Sequence, residues 1–460
     1  MKITKKTTNH STTTTQSIQA KNFFNTAFKT FSLYDNVRSI PKLVDGLKPS
    51  QRKAICGTLS RGENAGEMQV ERLASIIAAH TDYHHGATSL VSTIVGMAND
   101  KMPGMNNMNV FVPEGQFGSR LTSEAGAGRY IFTYLHPNFR KLFRKEDDCI
   151  LENIIVDGQE IEPHNYIPLL PISLINGASG TGTGHACEIF SYHPEQIRDA
   201  VLAILNNKNK KKALVDGTLT PWFRGFHGNV ERNPETGQVT TFGKLELVNS
   251  TTIRITELPV GVYLDSYKNV LNALEEAEFI KQYDDNSSED RFDFTITVPR
   301  STSVLPIDTL MSKFKLLGRG TENFTLWNTE NRLTKYASAE AVIEAFVPWR
   351  LEQYEKRRQK MIAETSETIR YQSEVIRFIR FYLANTKVFK DTGKADLVAL
   401  LLDKKFVDYE KLMAMAMWNL TKDRIAELEK KLELVKQTLV TLQSDSANEM
   451  YRRELKEFSI

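Results

Sequence analysis

GQFGSRLTSEAGAGRYIFTYL, residues 115–135, carries two glycine pairs, Gly115/Gly118 and Gly126/Gly128, and ends in an apolar run. Gly126-Ala127-Gly128 lets the backbone approach a bulky polyanion closely, because no large side chain intervenes. Arg129 and Tyr130 follow directly. A tyrosine phenol, with pKa about 10, is a weak nucleophile that forms covalent intermediates when a neighbouring cation favours the phenolate. Arginine suits the charge that builds on a phosphoryl group under attack. An Arg–Tyr pair alone is ordinary surface chemistry, so its meaning depends on the rest of the chain.

The 460 residues have room for about three domains. Net charge is only +3, but residues 1–60 hold ten basic side chains and two acidic ones. A basic end on a near-neutral body points to one surface for a polyanion. Cys56, Cys149 and Cys187 are far apart, odd in number and without metal-ligand spacing, which argues against a disulfide framework. No apolar run reaches the length of a membrane span and no signal-peptide core opens the chain. A soluble, cytoplasmic protein of a reducing compartment is expected, with no membrane partner.

Residues 1–20 are Thr-rich and basic and read as a disordered tail or interaction arm. Phe24, Phe28, Phe31 and Tyr34 then recur at helical spacing. Ile40-Pro41 and Lys48-Pro49 bracket a loop around Asp45-Gly46. Arg52 and Lys53 read as the opening of a helix whose positive end favours phosphate. His84-His85 follows the helical run ERLASIIAAH, and no further His or Cys pair nearby suggests zinc. From Val156 the texture turns β-rich: Phe292, Phe294, Ile296 and Val298 alternate with polar neighbours, as in a half-buried strand. The turn NGASGTGTG, residues 176–184, lacks the terminal Lys-Ser/Thr of a nucleotide P-loop, so no ATP site is expected there. A long helix is predicted over about 338–383, with Pro348 near its start. Ile425, Leu428, Leu432, Val435, Leu439 and Leu442 step by 3 and 4, a coiled-coil seam.

GQFGSR, RYIFTYL and YIPLLPISLINGASGTGTG together resemble the DNA breakage–reunion subunit of type IIA DNA topoisomerases, closer in wording to the eukaryotic and T-even phage branch than to bacterial gyrase. The likeness runs, with gaps, from about Phe31 to the C-terminus. It implies a multidomain α+β chain: a winged-helix cleavage domain at 21–155, a β-rich tower at 156–340, and a long antiparallel coiled-coil arm at 341–460. A small helical gate at about 384–418 completes that arm. By the same likeness Tyr130 attaches to DNA, Arg129 is its transition-state partner, and Arg38 helps hold the scissile phosphate. His84 and His85 lie beside that phosphate, positioning charge or shuttling a proton. Lys42, Lys48, Arg52, Lys53 and Gln116 are expected at the DNA. Thr181 stands where relatives carry an intercalating isoleucine.

The resemblance further implies a homodimer on double-stranded DNA. Mg²⁺ and ATP are expected on an ATPase/Toprim partner subunit, in a heterotetramer-like assembly, because neither a nucleotide-binding loop nor a Toprim acidic motif is recognisable here. A non-catalytic DNA-bridging protein of the same fold is the rival reading. A tyrosine recombinase or relaxase is weaker, since neither Arg/His set nor metal-binding histidine cluster can be assembled.

Overall fold

The computed structural model describes residues 2–9, 12–207 and 214–459. Three helices, Pro49–Leu59, Val70–His80 and Ala87–Ala98, pack through Ala54, Ile55, Leu73, Ala74, Ile77, Leu90 and Ile94, all fully buried. Beside them lies a three-stranded antiparallel sheet: Phe132–Leu135 in the centre, Met68–Gln69 on one edge and Phe111–Glu114 on the other. Three helices and a small sheet make a winged helix, the expected arrangement. Tyr130 sits two residues before the central strand.

The helix carrying the basic residues begins earlier than its sequence suggests. Pro49 occupies its first position, where a missing N–H costs nothing, and the Gln51 side chain accepts from Lys48 N–H at 2.8 Å. Arg52 is therefore inside the helix, not at its opening, and its side chain points into the core.

The tower is built on a four-stranded antiparallel sheet, ordered Lys244–Asn249, Thr252–Glu257, Phe294–Thr297 and Gln282–Asp285. Ile253, Ile255, Phe294 and Ile296 put one face of it against Tyr267 and Leu271 of the helix Leu264–Glu276 and Leu310 of the helix Ile307–Lys313. Phe292, Phe294, Ile296 and Val298 are all buried, as their alternation requires.

The chain divides into two compact units, Met1–Arg350 with Leu455–Ile460, and Leu351–Glu454. A helix from Ala339 to Ala384 contains Pro348. In the second unit its residues pair with the returning helix Lys422–Ser444: Arg380 bonds Glu429, and Arg358 donates to the Leu442 carbonyl, so the two run antiparallel. All six residues of the predicted seam are covered, while most others on that helix are exposed. Between the helices lie Thr386–Asp391, Lys394–Asp403 and Tyr409–Met413, closed on a core of Phe378, Ile379, Leu401, Phe406 and Leu412.

At the amino end the expected unstructured tail is replaced by a hairpin, Lys2–Asn9 paired with Thr12–Gln19. The β-branched threonines favour strands, a preference that composition alone conceals. Residues 1, 10 and 11 of that tail lie outside the described residues. Among the described residues no helix is long and apolar enough to cross a membrane.

Candidate active site

Tyr130 is displayed by a pinned loop. Its N–H donates to the Ala127 carbonyl at 2.8 Å, closing a turn, and the next residue, Ile131, is buried. Two backbone bonds tie the loop to the start of the helix Val70–His80: Val70 N–H to the Ile131 carbonyl at 3.0 Å and Glu71 N–H to the Gly128 carbonyl at 3.1 Å. With Ile131 facing inward, Tyr130 faces outward and is 69 % exposed. The Arg129 guanidinium lies 4.9 Å from the centroid of its ring, a cation–π contact. The pair is thus a cation and a phenol side by side on an otherwise fixed backbone.

The glycines ahead of it serve the protein itself. A Cβ on Gly128 would stand 3.2 Å from Val91 Cγ1 and 3.3 Å from Glu71 N, and one on Gly126 would stand 3.1 Å from Ile131 Cγ2. The room expected for a polyanion is taken up by the helix and by Ile131. Gln116 is half-buried, and its carbonyl accepts from Gly126 N–H at 2.8 Å.

A second group of expected residues converges elsewhere in the same unit. Arg38, Lys48, Lys53 and His85 line one cleft with Tyr34, Tyr83 and Ser89. Four elements supply them: the helix Lys29–Ser39, the helix Pro49–Leu59 with its N-cap Lys48, the loop 81–86 and the helix Ala87–Ala98. His85 Nε2 is 2.7 Å from the Tyr34 hydroxyl, and the Tyr83 ring meets the imidazole edge-on at 5.3 Å. His85 is held below the ordinary histidine pKa, first by desolvation, then by the positive charges of Arg38, His84 and Lys53. Burial likewise lowers Lys48. His84 turns outward to Asp82 at 3.0 Å, both well exposed. Asp82 adopts φ 51°, a left-handed conformation that aspartate tolerates better than most residues. Neither Arg129 nor Tyr130 lines this cleft.

Three of the expected basic contacts are engaged within the chain. Arg52 is 5 % exposed and grips Asp45 through Nε at 2.6 Å and Nη2 at 3.1 Å, so it is a core residue and not a phosphate contact. Lys42 Nζ donates to the His164 carbonyl at 3.0 Å and to Asn165 Oδ1 at 2.7 Å, and burial pushes it down to about 8. Lys53 Nζ reaches Glu162 at 2.9 Å and the Thr81 carbonyl, which leaves its charge largely answered. Sequence spacing does not reveal these partners, which lie up to 123 residues away.

Thr181 lies on a strand and not in a turn: Ala178–Gly182 pairs with His185–Ile189, Thr181 opposite Ala186. The flanking glycines explain its posture. A Cβ on Gly180 would fall 2.0 Å from the Ser39 carbonyl oxygen, and one on Gly182 would fall 2.2 Å from Asn36 Oδ1. Only glycine allows the hairpin to lie this close to the helix Lys29–Ser39. Thr183 Oγ1 bonding Asp35 at 2.7 Å and Asn36 Nδ2 bonding the Thr183 carbonyl at 3.1 Å hold it there. Side chains alternate along a strand, so Thr181 projects away from the helix and is exposed.

A scan against family models matches residues 38–456 to the A-type chain of DNA gyrase/topoisomerase IV. The chain belongs to that family. DNA topoisomerase 2 of Arabidopsis thaliana is 37 % identical over 399 residues, covering 84 % of this chain and 26 % of the plant protein. The mitochondrial DNA topoisomerase 2 of Dictyostelium discoideum is 32 % identical, covering 95 % of this chain and 34 % of its own length. That of Acanthamoeba polyphaga mimivirus is 30 % identical, covering 93 % and 40 %. The chain thus spans about a third of the length of these relatives. The crystal structure of the Plasmodium falciparum topoisomerase II DNA-binding, cleavage and re-ligation domain superposes with a TM-score of 0.87 at 32 % identity, over 95 % of this chain and 63 % of that one. Family and fold, including the likeness to eukaryotic type 2 enzymes, stand as the motifs imply.

Among the described residues no disulfide joins the cysteines, and burial pushes Cys56 up to about 11 and Cys187 up to about 12. Among the described residues no three His, Cys, Asp or Glu side chains gather as a metal cage would require. Tyr34, Tyr83 and Ser89 are cleft residues that motif reading passed over.

Proposed function

We propose that this chain is the DNA-cleaving and rejoining part of an ATP-dependent type II DNA topoisomerase. The exposed Tyr130 beside the Arg129 guanidinium, on a loop pinned to the winged helix, carries the proposal. The Tyr130 oxygen attacks a backbone phosphorus and loses its proton. The bond from phosphorus to the 3′ oxygen breaks, and that oxygen leaves as a hydroxyl. One phosphodiester replaces another, so the reverse step reseals the strand without external energy. Arg129 answers the charge that builds on the phosphoryl oxygens. Arg38, Lys48 and His85, gathered in one cleft, supply donors for DNA phosphate. Two protomers would cut both strands of one duplex and let a second pass. Denaturant-trapped protein–DNA adducts on end-labelled duplex test this reading: a 5′-phosphotyrosine is expected. No adduct would leave a DNA-bridging protein, and a 3′ attachment would indicate recombinase chemistry.

The partners follow from the same reading. ATP and Mg²⁺ belong to an ATPase/Toprim region, which we place on a partner subunit of the assembly. Homodimer formation is supported by the apolar surface of the segment 384–418 and its flank, where Leu402, Val407, Met417 and Trp418 are 52–80 % exposed. Deleting about 384–418 is expected to weaken dimerisation in sedimentation while the winged helix stays folded. An unchanged dimer would put the main interface elsewhere. The proposed place of action is the cytoplasm, of the host if the source is viral.

Thr181 is proposed as the wedge that bends the cleaved duplex. Unstacking a base step costs a few kcal/mol, which an inserted apolar surface normally offsets. Threonine keeps the β-branch but carries a hydroxyl that requires a hydrogen bond, so a gentler bend is expected here. Thr181→Ile should bend a short duplex more, and Thr181→Ala less, by fluorescence energy transfer. Equal angles in all three would remove Thr181 from that role.

A further inference from the structure

We propose that Tyr34 is a positioning residue that sets the tautomer of His85, so that Nδ1–H is the group presented to the phosphate. This rests on the cleavage reading above. Tyr34 and His85 are 51 residues apart, on different elements, yet Oη and Nε2 are 2.7 Å apart. The other tyrosine at the imidazole cannot serve: the Tyr83 hydroxyl donates to Ser89 Oγ at 2.9 Å and only its ring reaches His85.

The direction of the bond follows from acid–base chemistry. His85 is held below the ordinary histidine range by desolvation and by Arg38, His84 and Lys53, which favours the neutral ring that can accept a hydrogen bond. An imidazole lone pair is a stronger acceptor than a phenol oxygen, and a phenol is a good donor. Tyr34 O–H therefore donates to Nε2, which places the ring proton on Nδ1. With Nε2 capped, His85 acts as a donor to developing negative charge and not as the base for the attacking tyrosine.

The charged groups around the ring agree with a neutral donor. Arg38 comes from the helix Lys29–Ser39 and Lys48 from the N-terminal side of the helix Pro49–Leu59, both cationic cleft residues, while Lys53 in the first turns of that helix is paired with Glu162 at 2.9 Å. Asp35, also at the cleft, accepts from Thr183, and Asp82 is paired with His84. Protonating His85 would add a further positive charge to this group and abolish the acceptor that Tyr34 uses.

The test uses the whole chain with ¹⁵N-labelled histidine, the His85 signals assigned through His85→Gln. Wild type is expected to show a protonated Nδ1 and a bare Nε2 at neutral pH. Tyr34→Phe keeps the ring and removes one hydroxyl, so the fold should hold; its His85 should shift towards the Nε2–H form. It should also titrate at a higher pH, because the bond that favours the neutral ring is lost. A wild-type Nε2–H tautomer, or identical tautomers in both proteins, would overturn the proposal. This readout needs no DNA cleavage, so it stands or falls apart from the topoisomerase reading. In the assembled enzyme on a short duplex, Tyr34→Phe should slow cleavage roughly tenfold, as loss of an orienting partner does. Duplex affinity should be unchanged. A rate loss in a Tyr34→Phe protein whose His85 keeps the wild-type tautomer and titration would mark Tyr34 as merely structural.

Discussion

Tyr130→Phe is expected to abolish the covalent DNA adduct while leaving fold and duplex binding as they are in wild type. On the proposed reading the phenol oxygen is the atom that bonds to phosphorus, and phenylalanine lacks it. Loss of a nucleophile costs a factor on the order of 10⁴–10⁶ in rate, enough to take cleavage below detection. The fold should be indifferent, because Tyr130 is 69 % exposed and phenylalanine keeps the ring under Arg129. Anchoring at Ile131, Glu71 and Ala127 runs through backbone atoms that the change does not touch. Thermal unfolding and duplex titration measure the controls, and denaturant trapping measures the chemistry. A wild-type yield of adduct from Tyr130→Phe would sink the assignment of the nucleophile, whatever the family.

What was legible in the sequence was whatever depends on period. Phe292 to Val298 alternate and are all buried, and the six seam residues from Ile425 to Leu442 are all covered. The motif around Tyr130 gave the family because its length exceeds what chance supplies. Less was legible where meaning depends on the far side of a contact. Phe24, Phe31 and Tyr34 predict a helix correctly, yet all three are at least half exposed, since periodicity says nothing of what covers a stripe. The glycines at 126, 128, 180 and 182 signal close approach, but only the fold tells that the approaching groups are Ile131, Glu71, Ser39 and Asn36. Tyr34 was invisible as a site residue because its partner comes 51 residues later, on another element.

Arg52 shows the same limit at larger energetic scale, and its removal should destabilise the fold more than it weakens any DNA contact. Asp45 is fully buried and accepts four bonds: Arg52 Nε at 2.6 Å, Arg52 Nη2 at 3.1 Å, Leu47 N–H at 3.1 Å and Tyr166 N–H at 3.1 Å. Arg52 Nη2 also donates to the Leu47 carbonyl at 2.7 Å. The pair therefore locks the loop 41–48 to its helix and to residue 166. Asp45→Ala leaves a guanidinium buried without its counter-charge, which typically costs about 3–5 kcal/mol. Against a total stability of about 5–15 kcal/mol, that is a large fraction. Arg52→Ala should also be strongly destabilising, although two backbone N–H groups still answer the carboxylate. Replacing both by leucine should recover much of the loss, because no uncompensated charge then remains. Urea unfolding of the two singles and the double gives the coupling directly. Lys48→Glu is the contrasting variant: half-buried at the cleft and tied to its helix through its backbone N–H, it should change stability little. Its duplex affinity should fall for every sequence, with the salt slope lower by about one. An Arg52→Ala protein of wild-type stability with that same salt signature would return Arg52 to the phosphate backbone and remove it from the core.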